Sequence, residues 1–141
     1  MTKAGTLDHV GISVADLDTM QQWYSETFEL RVVNRFEVPE IGLRGAFLAA
    51  ETGWVIELLE RAGSQREPLA TNQPERLLQR GFAHLCLRVN DVQHVHAQLL
   101  AAGGMERMPP QASPEPGVTM SFVADPEGNF IELIDRKGAI Q

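Results

Sequence analysis

The chain has a single cysteine, Cys86, among its 141 residues. One thiol excludes an intramolecular disulfide framework, and we therefore expect a reducing, cytoplasmic setting. No apolar run approaches the roughly 18 residues of a transmembrane helix. The first six residues carry no apolar signal region, so we also expect no targeting segment there.

Basic residues are scarce as well. The 12 lysines and arginines stand against 19 aspartates and glutamates, which gives a formal net charge of −7. Nucleic-acid binding needs a basic face for phosphate contacts, and we predict none. No basic amphipathic stretch suggests a membrane surface. The length and the apolar content of 43% suit one soluble globular domain.

The chain matches itself when it is shifted by 75 residues. The shift places His9 on His84 and Glu57 on Glu132 without a gap. The matched segments are Leu7–Val14 with Phe82–Val89 and Trp54–Arg61 with Asn129–Arg136. Further identities are Val14/Val89, Asp16/Asp91, Gly53/Gly128, Ile56/Ile131, Leu58/Leu133 and Arg61/Arg136. The sequence therefore contains a duplicated unit with a His and a Glu at equivalent points of each copy.

Each copy has the pattern of a strand, a helix and three further strands, which predicts an α+β fold of two tandem βαβββ modules. The first module covers about residues 6–61, the linker 62–80 and the second module 81–136. Asp16 is a predicted cap for a helix over Leu17–Phe28, and Asn90 or Asp91 for a second helix. The predicted later strands are Arg31–Val38, Leu43–Ala49, Trp54–Glu60, Glu106–Met108, Val118–Ala124 and Asn129–Asp135. The linker leaves open whether the modules pair within one chain or with a second chain.

Strand alternation places the His and Glu side chains that the two copies share on the face opposite the apolar one. Ile56 and Leu58 face one way and Glu57 faces the other, and the strand of Glu132 repeats this order. The two His residues lie on the polar sides of their strands. A buried carboxylate pair costs several kcal/mol without compensation, and a bound cation supplies that compensation.

Two imidazoles and two carboxylates suit one divalent ion such as Ni, Co, Zn, Mn or Fe. We therefore predict a metal site formed by His9, Glu57, His84 and Glu132. Four ligands leave two positions of a six-coordinate ion open for adjacent substrate oxygens. The ion would polarise a carbonyl, and a glutamate ligand that loosens its bond would move a proton.

Other polar residues are weaker candidates. His94 and His96 are two apart on a predicted helix and cannot face one site, so we expect solvated surface residues. Cys86 is interpreted as a small buried pocket residue rather than a thiolate ligand. Glu40 is either a solvated turn residue or an acid/base group. Arg88 either holds an anionic substrate group or has no specific role.

The segments Leu7–Leu17 and Asp125–Leu133 resemble the most typical segments of the vicinal oxygen chelate superfamily. That group includes glyoxalase I, methylmalonyl-CoA epimerase, extradiol dioxygenases and bleomycin-resistance-type binding proteins. The resemblance extends from about Leu7 to Asp135. It implies two βαβββ modules that build a curved mixed sheet around a metal cleft, usually in a homodimer.

Within the superfamily, the four predicted ligands look like those of glyoxalase I. There the metal binds both oxygens of a hemithioacetal, and a glutamate ligand moves the proton through an enediolate. The segment Phe36–Leu48 looks more like methylmalonyl-CoA epimerase, in which a glutamate at the position of Glu40 is a second acid/base facing the ligand that corresponds to Glu132. Two features depart from the epimerase pattern: Glu57 is often Gln there, and the loop 125–129 is of the glyoxalase type.

The resemblance implies a metal-dependent lyase or isomerase that acts through an enolate on a small carbonyl compound or thioester. Glu132 is the first choice for the ligand that doubles as base, Glu57 is its counterpart and Glu40 an optional third group. Two alternatives are an Fe(II)-dependent ring-cleaving dioxygenase, for which Glu57 is a surplus ligand, and a metal-free binding protein of the bleomycin-resistance type, which generally lacks the ligands. Candidate contacts for an anionic substrate handle are Arg31, Arg35, Arg44 and Arg88.

Overall fold

Each half of the chain folds as a strand, a helix and three further strands. The computed structural model describes residues 4–140. The first half consists of β1 (Val10–Val14), α1 (Leu17–Phe28), β2 (Arg31–Val38), a 3₁₀ turn (Pro39–Ile41), β3 (Leu43–Ala49) and β4 (Val55–Arg61). The second consists of α2 (Gln73–Arg76), β5 (Leu85–Arg88), α3 (Val92–Ala101), β6 (Met105–Ala112), β7 (Thr119–Ala124) and β8 (Phe130–Asp135). The α+β class with two tandem βαβββ modules is confirmed. Two compact units hold the modules, and they divide between Gln65 and Arg66.

The first module forms a four-stranded mixed sheet in the order β1-β4-β3-β2. Strands β1 and β4 are parallel, and the remaining neighbours are antiparallel. Helix α1 begins after Asp16, whose carboxylate accepts from the Thr19 N–H at 2.9 Å, and it packs on β3 and β4. Ile56 and Leu58 of β4 are fully buried. The apolar face of the strand is therefore the face predicted from its alternation.

The second module repeats this arrangement in the order β5-β8-β7-β6. Strands β5 and β8 are parallel, and the other pairs are antiparallel. Asp91 rather than Asn90 caps α3, because its carboxylate accepts from the His94 N–H at 2.9 Å. Ile131 and Leu133 of β8 are fully buried, and α3 packs on β6, β7 and β8. The 75-residue repeat is therefore a repeat of structure.

A carboxylate of β4 fastens helix α1 to the first sheet. Glu60 accepts from the N–H of Leu17, the first residue of the helix, at 2.8 Å, and from Arg44 at 2.9 and 3.0 Å. A negative charge at a helix N-terminus is favourable because it opposes the helix dipole. The hydrogen bond from Arg44 is the main cause that lowers the pKa of Glu60.

Strand β6 is longer than the sequence predicted. We expected a strand over Glu106–Met108, because Pro109 and Pro110 cannot donate to a ladder. The strand instead continues to Ala112, and its pairing with β7 is irregular between Glu106 and Met108 and again between Met108 and Gln111. Strand β6 lies at the edge of its sheet, and both prolines fall in the second irregular stretch, after which regular pairing resumes at Gln111.

The prediction that His96 is a solvated surface residue was wrong. The side chain is buried, with Nδ1 2.9 Å from Ser121 Oγ and Nε2 2.9 Å from Glu106 Oε2. His96 lies one helical turn after Val92, on the face of α3 that covers the sheet. Both ring nitrogens have partners, which is why a polar ring is tolerated there. His94 is exposed, as expected.

The linker contains one short helix, α2. The residues of α2 belong to the second compact unit. Among residues 4–140, we find no helix that is both long and apolar enough to span a membrane.

Candidate functional site

The first module places His9 beside Glu57. His9 lies directly before β1, and the parallel register aligns Gly11 with Glu57 on β4. His9 Nε2 lies 3.5 Å from Glu57 Oε1. Phe47 neighbours Glu57 on β3 and packs edge-to-face against the imidazole, with ring centroids 5.0 Å apart. His9 Nδ1 donates to Asp8 Oδ2 at 2.7 Å. The ring is thus held from two sides, with Nε2 directed at the carboxylate.

The second module builds an equivalent pair from His84 and Glu132. The parallel register aligns Cys86 with Glu132 on β8, and His84 Nε2 lies 2.9 Å from Glu132 Oε2. Phe122 neighbours Glu132 on β7 and packs edge-to-face against the imidazole at 5.1 Å. On the other side of the ring, His84 Nδ1 lies 3.3 Å from Gln73 Nε2. The His, Phe and Glu positions are therefore equivalent in both modules.

The four side chains are shielded but reachable from solvent. Exposed fractions are 30% for His9, 17% for Glu57, 24% for His84 and 15% for Glu132. The hydrogen bond to Asp8 is the largest cause that raises the pKa of His9. The hydrogen bond from His84 is the largest cause that lowers the pKa of Glu132, and the thiol of Cys86 contributes to the same effect.

The nitrogen–oxygen distances in the pairs suit two donors to one cation. Donors bonded at about 2.1 Å lie about 3.0 Å apart when they subtend a right angle, and about 3.4 Å apart at the tetrahedral angle. The observed separations are 2.9 Å for His84 with Glu132 and 3.5 Å for His9 with Glu57. Imidazole nitrogen and carboxylate oxygen also suit a borderline divalent ion. Each pair therefore fits half of a four-ligand set.

Larger clusters of metal-binding side chains are not present within the described range. Among residues 4–140, no group of three or more His, Cys, Asp and Glu side chains is placed so that it could hold a metal ion. What the structure brings together is one His and one Glu in each module. The joint site of all four residues remains a prediction.

Glu40 lies in the exposed 3₁₀ turn that follows β2. The strand after this turn begins at Leu43, which pairs with Arg61 at the far end of β4. Arg61 is four residues along the strand from Glu57, a distance on the order of 13 Å. The turn therefore does not bring Glu40 next to Glu57, and its role as a third acid/base stays a prediction.

Two of the four candidate arginines already have acidic partners. Arg35 pairs with Asp18 at 2.8 Å, and Arg44 pairs with Asp18 at 3.2 Å and with Glu60 at 2.9 Å. Arg88 is exposed at the end of β5, and Arg31 is exposed at the start of β2. These two remain the candidates for an anionic substrate group.

Cys86 is exposed, so the prediction of a buried pocket residue was wrong. It alternates with Leu85 and Leu87, which are partly buried on the other face of β5. Desolvation of the thiol, followed by the charge of Glu132 and a hydrogen bond to it, raises the pKa of Cys86 to about 12. The thiol is therefore protonated at neutral pH and donates to the carboxylate, as expected of a residue that is not a thiolate ligand.

Sequence reasoning missed four residues that position the pairs. Phe47 and Phe122 are identical at the 75-residue offset, so the repeat contained the signal. Asp8 directly precedes His9, but its match in the second module is Ala83, and the repeat gave no reason to select it. Gln73 lies in the linker and has no match in the repeat.

Comparison with protein families gives a match over most of the chain. The model described as the glyoxalase/bleomycin resistance protein/dioxygenase superfamily matches residues 6–133. A protein of Vibrio parahaemolyticus named "Probable lactoylglutathione lyase" is 31% identical over 140 residues, which cover 96% of this chain and 94% of that protein.

A lactoylglutathione lyase of Arabidopsis thaliana is 29% identical over 131 residues, which cover 91% of this chain and 43% of the plant protein. The chain therefore spans less than half the length of that plant relative. Among solved structures, the glyoxalase family protein from Enterococcus faecalis has a TM-score of 0.76 at 24% identity, with 92% of this chain and 97% of that chain covered. This likeness concerns the fold.

Proposed function

Because the chain belongs to the glyoxalase/bleomycin resistance protein/dioxygenase superfamily, we propose that it is a divalent-metal-dependent lyase or isomerase of the glyoxalase I type. The substrate class is a small carbonyl compound joined to a thiol, such as the hemithioacetal that precedes lactoylglutathione. The names of the bacterial and plant relatives support this substrate class over a coenzyme A thioester.

The observation that carries the proposal is the repeated His/Glu pair. His9 with Glu57 and His84 with Glu132 have nitrogen–oxygen separations that suit two donors to one ion. These four residues would hold one Ni, Co, Zn, Mn or Fe ion. When bound, the ion withdraws electron density from the substrate oxygens and so acidifies the adjacent C–H bond.

Glu132 is the proposed base. It takes the proton from the carbon next to the carbonyl and returns it to the neighbouring carbon, so no net proton is gained or lost. Contacts with His84 and Cys86 fix the carboxylate, and a fixed base needs less reorganisation at the moment of transfer. Glu57 is its counterpart on the other module. Phe47 and Phe122 pack edge-to-face against the two imidazoles and so help to fix the orientation of the rings.

A cationic contact for the substrate handle is proposed at Arg88. Glutathione is an acidic peptide, and guanidinium groups bind carboxylates through paired hydrogen bonds. Arg88 lies two residues after Cys86 on the same face of β5, and it is exposed. Arg88→Ala should raise KM for the glutathione adduct more than it lowers kcat.

Metal analysis tests the proposal most directly. Protein without an affinity tag is dialysed without chelator, and its metals are measured by mass spectrometry beside the double variant His9→Ala/Glu132→Ala. We expect about one divalent ion per site in the wild type and its loss in the variant. A wild-type protein that contains no metal and takes up none on titration would exclude the enzyme hypothesis and leave ligand sequestration.

Activity assays then follow from the metal found. With Ni, Co, Zn or Mn bound, thioester formation from methylglyoxal and glutathione should appear and should vanish on chelation. Epimerisation of a methylmalonyl thioester and Glu40→Ala are measured in the same preparation. Bound Fe with oxygen uptake on catechols would favour ring cleavage. We also propose a homodimer, which sedimentation velocity tests.

A further inference from the structure

We propose that Gln73 is a positioning residue for His84, and that its side-chain amide turns over when His84 becomes a metal ligand. This inference rests on the proposed metal role of His84. All of the residues involved belong to the second unit.

A short network of hydrogen bonds fixes α2, which begins at Gln73. The side chain of Asn72 accepts from the Glu75 N–H at 2.9 Å. The carboxylate of Glu75 accepts from the N–H and the hydroxyl of Thr71 at 2.7 and 2.8 Å. This reciprocal arrangement resembles a capping box and stabilises a helix start. Because α2 is only four residues long, such contacts are needed to keep it formed.

Arg76 connects α2 to the segment that leads into β5. Its guanidinium donates to the carbonyl oxygens of Gln79, at 3.1 Å, and Phe82. Phe82 is only two residues before His84. The backbone that carries Gln73 and the backbone that carries His84 are thus tied together by one side chain.

The contact with His84 is made by a buried amide. Gln73 is 8% exposed, and its Nε2 lies 3.3 Å from His84 Nδ1. Its other polar atom, Oε1, is buried and has no hydrogen-bond partner. An unsatisfied buried acceptor costs free energy comparable to a lost hydrogen bond. In this orientation the amide therefore has one partnered and one unpartnered polar atom, and its only side-chain hydrogen bond among the described residues is the one to His84.

Each orientation of the amide selects one tautomer of His84. When Nε2 of Gln73 donates, Nδ1 of the ring must accept, so the ring proton lies on the ring Nε2 and is directed at Glu132. A ring Nε2 that binds a cation carries no proton, and the proton must then lie on Nδ1. Turning the amide by half a rotation places Oε1 opposite Nδ1, where it accepts that proton. The oxygen then has the ring as its partner, and the amide nitrogen moves to the place that the oxygen held, so the amide can serve either tautomer of His84.

The test uses variants that change only the chemistry of residue 73. Gln73→Met retains the length of the side chain and removes both polar atoms. Gln73→Glu keeps an acceptor and removes the donor. Gln98→Met, at an exposed position of α3 in the same unit, is the matched control. Zn(II) affinity is measured by competition with a chromophoric chelator, and the two ring nitrogens of His84 are followed by ¹⁵N NMR.

We expect Gln73→Met to weaken Zn(II) binding about 10- to 100-fold, the usual cost of losing the partner of a histidine ligand. Gln73→Glu should bind within about threefold of wild type, and Gln98→Met should be unchanged. In metal-free protein, wild-type His84 should carry its proton on Nε2, and Gln73→Glu should move it to Nδ1, because a carboxylate only accepts. This NMR comparison requires neither bound metal nor a folded Gln73→Met protein.

Two results would overturn the inference. One is equal Zn(II) affinity in wild type and Gln73→Met. The other is a ring-proton position in His84 that does not respond to Gln73→Glu. A wild-type protein that binds no Zn(II) would instead remove the proposed metal function, and the metal-free NMR comparison would still decide whether Gln73 controls the His84 tautomer.

Discussion

The two His/Glu pairs share a backbone arrangement and differ in what surrounds them. In both, a His directly before the first strand of its module faces a Glu in the last strand. A Phe on the other neighbour of that last strand packs against the imidazole ring. The partner of Nδ1 differs, however. His9 has the exposed carboxylate of Asp8, while His84 has the buried amide of Gln73.

The residue next to each carboxylate differs as well. Gly11 neighbours Glu57, and Cys86 neighbours Glu132. Glycine gives its carboxylate no side-chain partner, whereas the thiol donates to Glu132. The nitrogen–oxygen separation is correspondingly 2.9 Å in the second module and 3.5 Å in the first. Duplication thus retained the donor atoms while the two environments diverged, and the two glutamates are not expected to be interchangeable.

The largest expected effect comes from Glu132→Gln. Removing the proposed base while keeping its size should lower kcat by roughly 10³-fold with the fold intact. Glu57→Gln is the matched variant in the other module, and we expect a smaller loss of about 10- to 100-fold. Steady-state kinetics with circular dichroism as the folding control measure both. A larger loss from Glu57→Gln would exchange the roles, and equal losses would mean that neither glutamate is the unique base.

Replacing Phe122 with alanine should lower the free energy of unfolding more than the equivalent change at Phe47. Phe122 is buried, so Phe122→Ala should lower the free energy of unfolding by about 3 kcal/mol. Phe47 is half-buried, and Phe47→Ala should cost about half as much. Urea unfolding followed by circular dichroism measures both values. Since Trp23 and Trp54 both lie in the first module, fluorescence reports that module alone, and a change there in Phe122→Ala would show that the modules unfold together.

The smallest effect concerns Glu60, which fastens α1 in the first module. Glu60→Gln should lower Tm at pH 7 by about 3 °C, because a charged hydrogen bond to Leu17 and Arg44 is weakened. The fold lowers the pKa of Glu60, so its contribution is full above the ordinary carboxyl range and is lost as the pH falls through the lowered value. The difference in Tm should therefore shrink as the pH falls through the lowered pKa of Glu60.

The matched variant for Glu60 is Asp135→Asn, since Asp135 is the equivalent residue of the second module and pairs with the exposed Lys137. An exposed pair contributes little, and we expect a change within about 1 °C. A difference in Tm between Glu60→Gln and wild type that persists unchanged as the pH falls well below the ordinary carboxyl range would show that packing, rather than charge, holds the helix.

Much of the fold was predictable because the same strand alternation and the same helix cap occur in both copies of the repeat. Alternation on β4 and β8 predicted which face is buried, and the Asp16 and Asp91 caps predicted where the helices begin. The contact of each His with its Glu depends on the parallel register, which the sequence did not predict: it aligns Gly11 with Glu57 and Cys86 with Glu132, two positions after each His.

The parts that sequence reasoning missed depend on contacts between residues with no periodic relation. His96 is buried because Ser121 and Glu106, distant in sequence, satisfy its two nitrogens. Gln73 reaches His84 only because Arg76 folds the linker back. The length of β6 depends on its place at a sheet edge, which no local pattern specifies.

The prolines of β6 also bear on how the second sheet ends. Neighbouring residues of a strand direct their N–H groups to opposite sides, so one of two consecutive prolines always removes a donor from the outer side. An incoming peptide therefore cannot add a full ladder along β6, which guards this edge against amyloid-like stacking. Strand β2, the corresponding edge of the first sheet, has no proline and exposes Arg31, Arg35 and Glu37. On β2, charged side chains rather than prolines oppose the addition of another strand. Removing the charges of β2 should therefore lower solubility more than replacing the prolines of β6.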